Sequence, residues 1–182
     1  MIFSDKTIQA CIRNEKIKIF PECNPADIRP AGIRLHLGLE LLIPTEGQRV
    51  DLESCQEIQF DRITIPEEGF VIKPGEFVLG STYEKLQVAR DIVCHIDGRS
   101  TIARVGLAIH CTSGIIDGNF EEPRTIVLEI KNQGPFEIIM RYKMALALLS
   151  FNQLTTEIEQ GVQKQYAGQN GTLAPNLKCQ KR

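Results

Sequence analysis

The chain has 182 residues, enough for one domain with a substantial core, and is 42% hydrophobic and 24% charged, the balance of an ordinary globular protein. A formal net charge of −2 excludes the broad basic face that nucleic-acid binding calls for, though not a local cationic pocket for a small anion. No apolar run approaches the length that crosses a bilayer, and Met1 to Lys16 lacks the basic start, apolar middle and cleavage site of a secretory leader, so a cytoplasmic protein with no membrane partner is expected.

In chain order, Ser4 is placed to cap a short helix. Ile8, Cys11 and Ile12 form its apolar stripe, and it ends near Asn14. Lys16 to Phe20 alternates like an extended segment, and Pro21, Pro25 and Pro30 predict an irregular connection over 20–33. Leu35, Leu37, Leu39 and Leu41 alternate with His36, Gly38 and Glu40, which predicts one half-buried strand. Phe70-Val71-Ile72 leads into a tight turn at Pro74-Gly75, and Phe77-Val78-Leu79 leaves it. Val93–Ile96, Ile126–Ile130, Ile138–Met140 and Ala145–Phe151 read as further strands, and Thr101–Val105 as a second, very short helix. Short strands at near-regular spacing, separated by Pro and Gly turns, predict a mainly β single domain over 1–182, an antiparallel barrel or jelly roll. From Gly161 onward no apolar period survives. That tail reads either as a disordered end or as a segment that orders over a ligand.

The six cysteines stand at Cys11, Cys23, Cys55, Cys94, Cys111 and Cys179, with no CxxC pair, which argues against a zinc ribbon or a redox pair. Cys94 and Cys111 lie in apolar stretches and are expected to fill the core. His36, His95 and His110 form no ligand pair and are expected to be packed or surface histidines.

Three stretches could carry chemistry. In Asp97-Gly98-Arg99-Ser100-Thr101-Ile102-Ala103-Arg104 a strand ends and a helical turn begins. Its backbone N–H groups, two guanidinium groups and two hydroxyls suit a phosphate, and Ser100 and Arg104 share a face. A capped surface helix with solvated arginines fits this stretch equally well. In Gly114-Ile115-Ile116-Asp117-Gly118 the carboxylate either makes an Asx turn or meets a sugar hydroxyl or a water. In Thr125 to Lys131, Thr125, Val127, Glu129 and Lys131 share one face of a strand. Glu129 is then either a solvated glutamate or a general base facing a pocket. Neither the H-x-E and P-C-x-x-C pair of the zinc deaminases nor a Walker A or GxGxxG motif occurs.

Taken in order, Phe70 to Glu76, Asp97 to Leu107, His110 to Asp117, Val127-Leu128-Glu129, Met144 to Phe151 and Tyr166 to Gly171 resemble the dCTP deaminase family of the dUTPase superfamily. The resemblance implies a distorted β-barrel or jelly roll of the dUTPase type with a short N-terminal helix at about residues 1–15. It implies a homotrimer with active sites shared between subunits, and a C-terminal lid at about 161–182. It implies magnesium held mainly by the nucleotide triphosphate, with no protein metal ligand and no zinc. Glu129 would be the general base, with Ser100 and Arg104 orienting water, base and Glu129. Arg99, Ser100, Thr101, Arg104, Asp117, Val127, Tyr166 and Gln169 would bind the substrate.

Some positions depart from that pattern. Arg34 stands where the family has an acid, Gln165 where it has a lysine (with Lys164 a candidate substitute), and two residues are added within Phe120 to Arg124. The segment between Phe151 and Tyr166 is also shorter than in common bacterial members. The expected reaction is hydrolysis of dCTP to dUTP and ammonia. The alternative is continuation to dUMP and diphosphate, which Thr112 to Asp117 and Tyr166 to Gln169 favour. A dUTP diphosphatase without deaminase activity and a non-catalytic nucleotide-binding trimer are the competing readings.

Overall fold

The computed structural model describes residues 1–53, 56–117, 122–159 and 169–177. Helix α1 (Asp5–Arg13) begins where the Ser4 side chain accepts from the Thr7 N–H, which satisfies one of the donors a helix start leaves open. Asp5 and Arg13 complement the two ends of its dipole. Ile8 is fully buried beneath it. Asn14 caps the far end and Glu15 takes a left-handed backbone, φ +57, which turns the chain out of the helix.

The strands follow as β1 (Ile17–Phe20), β2 (Ile28–Arg29), β3 (Gly32–His36), β4 (Glu40–Pro44), β5 (Phe60–Thr64), β6 (Phe70–Ile72), β7 (Phe77–Ser81), β8 (Lys85–Val88) and β9 (Ile92–Gly98). After helix α2 (Ser100–Ala103) come β10 (Leu107–Ala108), β11 (Ile115–Ile116), β12 (Val127–Asn132), β13 (Ile138–Met140) and β14 (Ala145–Gln153). All described pairings are antiparallel. One five-stranded sheet runs β10-β12-β7-β4-β5, the other β11-β9-β14-β3-β2, and β1-β8 and β13-β6 form two short pairs. This is the jelly-roll form of the expected mainly β fold. The ladders fall into separate sheets and do not run round as a closed barrel among the described residues.

The core lies between the inward faces. Ile33 and Leu35 of β3, Ile92, Cys94 and Ile96 of β9, and Leu146, Leu149 and Phe151 of β14 meet Leu41, Val78, Leu128 and Ile130 from the other sheet in one buried cluster. In β9 and β12 the alternation of side chains produces this directly, because successive side chains point to opposite faces.

One local expectation is corrected. The single strand expected over Leu35 to Leu41 is broken: β3 ends at His36, β4 starts at Glu40, and Leu39 is 45% exposed. Here the chain crosses from one sheet to the other. Gly38 donates its N–H to the Ser81 carbonyl at 2.7 Å, so close that a Cβ would sit 3.0 Å from that oxygen. The turn at Gly75 exists, with φ +83, but its flanking strands do not form a hairpin: β6 pairs with β13 and β7 with β12 and β4. Among the described residues no helix is long and apolar enough to cross a membrane.

Candidate active site

Strand β12 carries the centre of the site. Its pattern buries Leu128, Ile130 and Asn132 and leaves Val127, Glu129 and Lys131 half-buried on the opposite face. Val127 and Glu129 line a cavity of about 690 Å³. Neighbouring strands supply Phe60, Phe77 and Leu79, the loop before β12 supplies Arg124, Thr125 and Ile126, and the segment 113–117 supplies Ser113, Ile115, Ile116 and Asp117. The C-terminal segment closes one side with Gln169, Leu173, Ala174 and Pro175. The register explains the grouping: Glu129 pairs with Leu79 and Lys131 with Phe77, and paired residues share a face.

Burial pushes the Glu129 carboxyl above the usual glutamate range, while the Cys111 backbone N–H and the nearby His110 pull the other way. The Cys111 N–H donates to Glu129 Oε2 over 3.4 Å. A carboxyl whose protonated form is favoured near an apolar wall can exchange a proton at milder pH than a solvated one. His110 is the other titratable neighbour. Its Nε2 lies 3.6 Å from Asp97 Oδ1 and its ring stands edge-on to His95 at 6.4 Å. Its Nδ1 is buried with no hydrogen-bond partner among the described residues.

Elsewhere in the cavity lining, burial lowers the pKa of the Arg124 guanidinium and the Asp117 carboxylate raises it. Arg124 is fixed by a two-way backbone exchange with Leu86 at 2.8 and 3.0 Å. The Gln169 Nε2 donates to the Thr125 carbonyl at 3.1 Å. The cavity therefore offers a carboxyl, a carboxylate, a guanidinium and a primary amide between apolar walls. This is the layout of a pocket for a small ring with polar edges.

Asp117, Val127, Glu129 and Gln169 thus come together from three distant stretches. Arg99, Ser100, Thr101 and Arg104 do not join them, since none lines this cavity. They sit on or beside α2, where Ser100, Thr101 and Arg104 are exposed and Arg99 donates to the Ala145 carbonyl at 2.8 Å. Tyr166, Lys164 and Gln165 lie outside the described residues. Arg34 lines a second cavity of about 260 Å³ with His36, Asp27, Tyr83, Glu84 and Lys143, where the His36 ring and backbone N–H are both bound to Glu84. Cys111, expected in the core, is exposed, because β10 ends at Ala108 and the alternation no longer applies beyond it. Arg124 and Thr125 are pocket residues that the sequence reading did not select. For Thr125 the signal was present, in its shared face with Val127 and Glu129.

The sequence profile of the dCTP deaminase-like family matches residues 2–154. The chain belongs to that family. Among its relatives, the dCTP deaminase of Haloarcula marismortui is 30% identical, covering 97% of this chain and 95% of its own. The dUMP-forming dCTP deaminase of Dictyoglomus turgidum is 34% identical over the same shares, 97% and 95%. Among solved structures, 2′-deoxycytidine 5′-triphosphate deaminase from Agrobacterium tumefaciens shares the fold, with a TM-score of 0.64 at 18% identity. The match covers 84% of this chain and 47% of that one, so the chain spans about half the length of that structure. The family match takes in α2, Asp117 and Glu129, whereas Gln169 and the rest of the C-terminal wall lie beyond residue 154.

Proposed function

We propose that this protein hydrolyses dCTP and carries the product on to dUMP and diphosphate, with Glu129 as the general base. The observation that carries the reading is Glu129 itself: a carboxyl raised by burial, lining a cavity shared with Asp117 and Gln169. Relatives named as dUMP-forming dCTP deaminases at 34% and 30% identity support the longer reaction over one that stops at dUTP.

In this reading Glu129 takes a proton from a water that adds to C4 of cytosine. It passes that proton to N3, then carries the proton of the new C4 hydroxyl to the departing amine, so that the C4–N4 bond breaks and ammonia leaves as the C4 carbonyl forms. Asp117 receives the deoxyribose 3′-hydroxyl and helps to hold the second water against the α-phosphorus. Gln169 and Val127 hold the base.

The separation of Arg99, Ser100, Thr101 and Arg104 from this cavity in the single chain supports a homotrimer in which α2 of a neighbouring copy completes each site. There Ser100 and Arg104 orient water and Glu129, and Arg99 with Thr101 meets the phosphates. In this reading a magnesium ion arrives with the substrate and is held mainly by the triphosphate oxygens. When bound, that ion neutralises phosphate charge and so favours diphosphate departure.

The test is product analysis with dCTP and, separately, dUTP in the presence of magnesium. The expected outcome is ammonia, diphosphate and dUMP in equal amounts from dCTP. Accumulation of dUTP alone would restrict the activity to deamination. Diphosphate from dUTP with no ammonia from dCTP would make the protein a dUTP diphosphatase.

A further inference from the structure

We propose that Thr125 is a positioning residue for this pocket, one that fixes the Gln169 amide before substrate arrives; the proposal rests on the dCTP reading above. Thr125 is only 6% exposed and immediately precedes Ile126 and β12. Its hydroxyl exchanges two hydrogen bonds with one residue of the C-terminal segment, donating to the Gly171 carbonyl at 3.1 Å and accepting from the Gly171 N–H at 3.0 Å. Its own carbonyl accepts from Gln169 Nε2 at 3.1 Å. One residue thereby fastens both the backbone and the side chain of the segment that walls the cavity, two and four positions ahead of Val127 and Glu129.

A second tether lies one residue further on. Thr172, 1% exposed, donates its hydroxyl to the Glu40 carbonyl at 2.9 Å. Arg62 donates to the Thr172 carbonyl at 3.2 Å while paired with the Glu40 carboxylate at 2.6 Å. Gly171 takes a left-handed backbone, φ +81, which lets the chain present its N–H and its C=O to the same hydroxyl. Residues 169–172 are therefore held by β4, β5 and the start of β12 in the same chain.

A glutamine has several side-chain torsions to fix. Spending one N–H on the Thr125 carbonyl fixes them in advance, and it leaves the Oε1 and the second N–H for the pocket. A ligand that meets a pre-set amide does not have to order it, so the benefit falls on binding. A residue acting this way changes KM while leaving kcat nearly untouched.

The test measures ammonia release from dCTP by wild type, Thr125→Val, Thr125→Ser, Gln169→Ala and the Thr125→Val/Gln169→Ala double variant. Valine keeps the shape and the carbonyl that Gln169 meets, and removes the hydroxyl that holds Gly171 and with it the segment carrying Gln169. Thr125→Val is expected to raise KM about tenfold with kcat within about threefold. Serine is expected to restore the wild-type KM. On the Gln169→Ala background, Thr125→Val is expected to change KM less than about twofold, because the two residues act as one unit. Should the valine variant fail to fold, Thr125→Cys has a similar shape and only a weak hydrogen-bonding group, and the same rise in KM is expected. Independent, additive effects of the two substitutions, an unchanged KM in the valine or cysteine variant, or a loss confined to kcat would each overturn the positioning role while leaving the functional reading intact. Absence of ammonia from the wild type would overturn both.

Discussion

Glu129 draws its character from its position on β12 and from what covers that face. Strand parity made Thr125, Val127, Glu129 and Lys131 neighbours on one side, and this was legible in the sequence. That the side faces a cavity was not, because the covering residues, Phe60, Phe77 and Leu173 to Pro175, lie far away in the chain. The raised carboxyl has two consequences with a worked sign. As a base Glu129 must be ionised, so kcat/KM should fall as pH drops through its raised pKa, with an acid limb above the ordinary glutamate value of about 4.3. For stability, a carboxyl raised in the folded state favours folding while protonated, and that contribution is lost as pH rises through the folded value. Ionised Glu129 is thus a cost at neutral pH. Glu129→Gln is expected to melt above wild type near neutral pH, with the gap closing below about pH 4. Paired thermal melts across pH check this, and a variant less stable at neutral pH would contradict the burial argument. Cys111 is exposed although its sequence neighbours are as apolar as a strand interior, because the chain has already left β10 at Ala108.

At the scale of elements, α1 and most long strands could be read from periodicity and caps, as Ser4, Ile8 and Asn14 illustrate. One expected strand failed at a crossing between sheets, and β5 and β8 have no counterpart among the strands expected from the sequence. Leu35 to Leu41 keeps perfect alternation yet bends at Gly38, since the bend follows from contact with Ser81 and leaves no local signal. A similar contact holds α2. Gly106, φ +85, and Gly134 lie so close that a Cβ on Gly134 would be 2.2 Å from the Val105 carbonyl oxygen. The Gln133 N–H donates to the Gly106 carbonyl at 2.7 Å, and the buried Asn132 side chain ties that turn to Ile72, Gly134 and Phe136. Gly134→Ala must therefore move backbone. It is expected to cost about 1–3 kcal/mol, the usual range for overpacking, and to disturb the α2 junction. Denaturant unfolding measures the loss, and a wild-type midpoint would show that the junction yields freely.

At the scale of the whole molecule, the residues of the proposed site fall into two groups that do not meet within one chain. Glu129, Asp117 and Gln169 share a cavity, while Ser100 and Arg104 sit exposed on and beside α2. Motif order in the sequence suggested both groups, and only the three-dimensional arrangement separates them. The account therefore requires each working site to draw Glu129 from one copy and Arg104 from the next. The measurement is ammonia release from dCTP by Glu129→Gln, by Arg104→Ala, and by trimers co-assembled from equal amounts of the two. Each variant alone is expected to lose about 10²–10⁴-fold in rate, as removal of a proton-transfer group or its orienting partner does. The mixed trimers are expected to recover about a quarter of wild-type activity, the share of sites that random mixing leaves intact. Mixed trimers as inactive as their parents, beside an active wild type, would contradict the shared site, and an active Glu129→Gln homotrimer would contradict the general base.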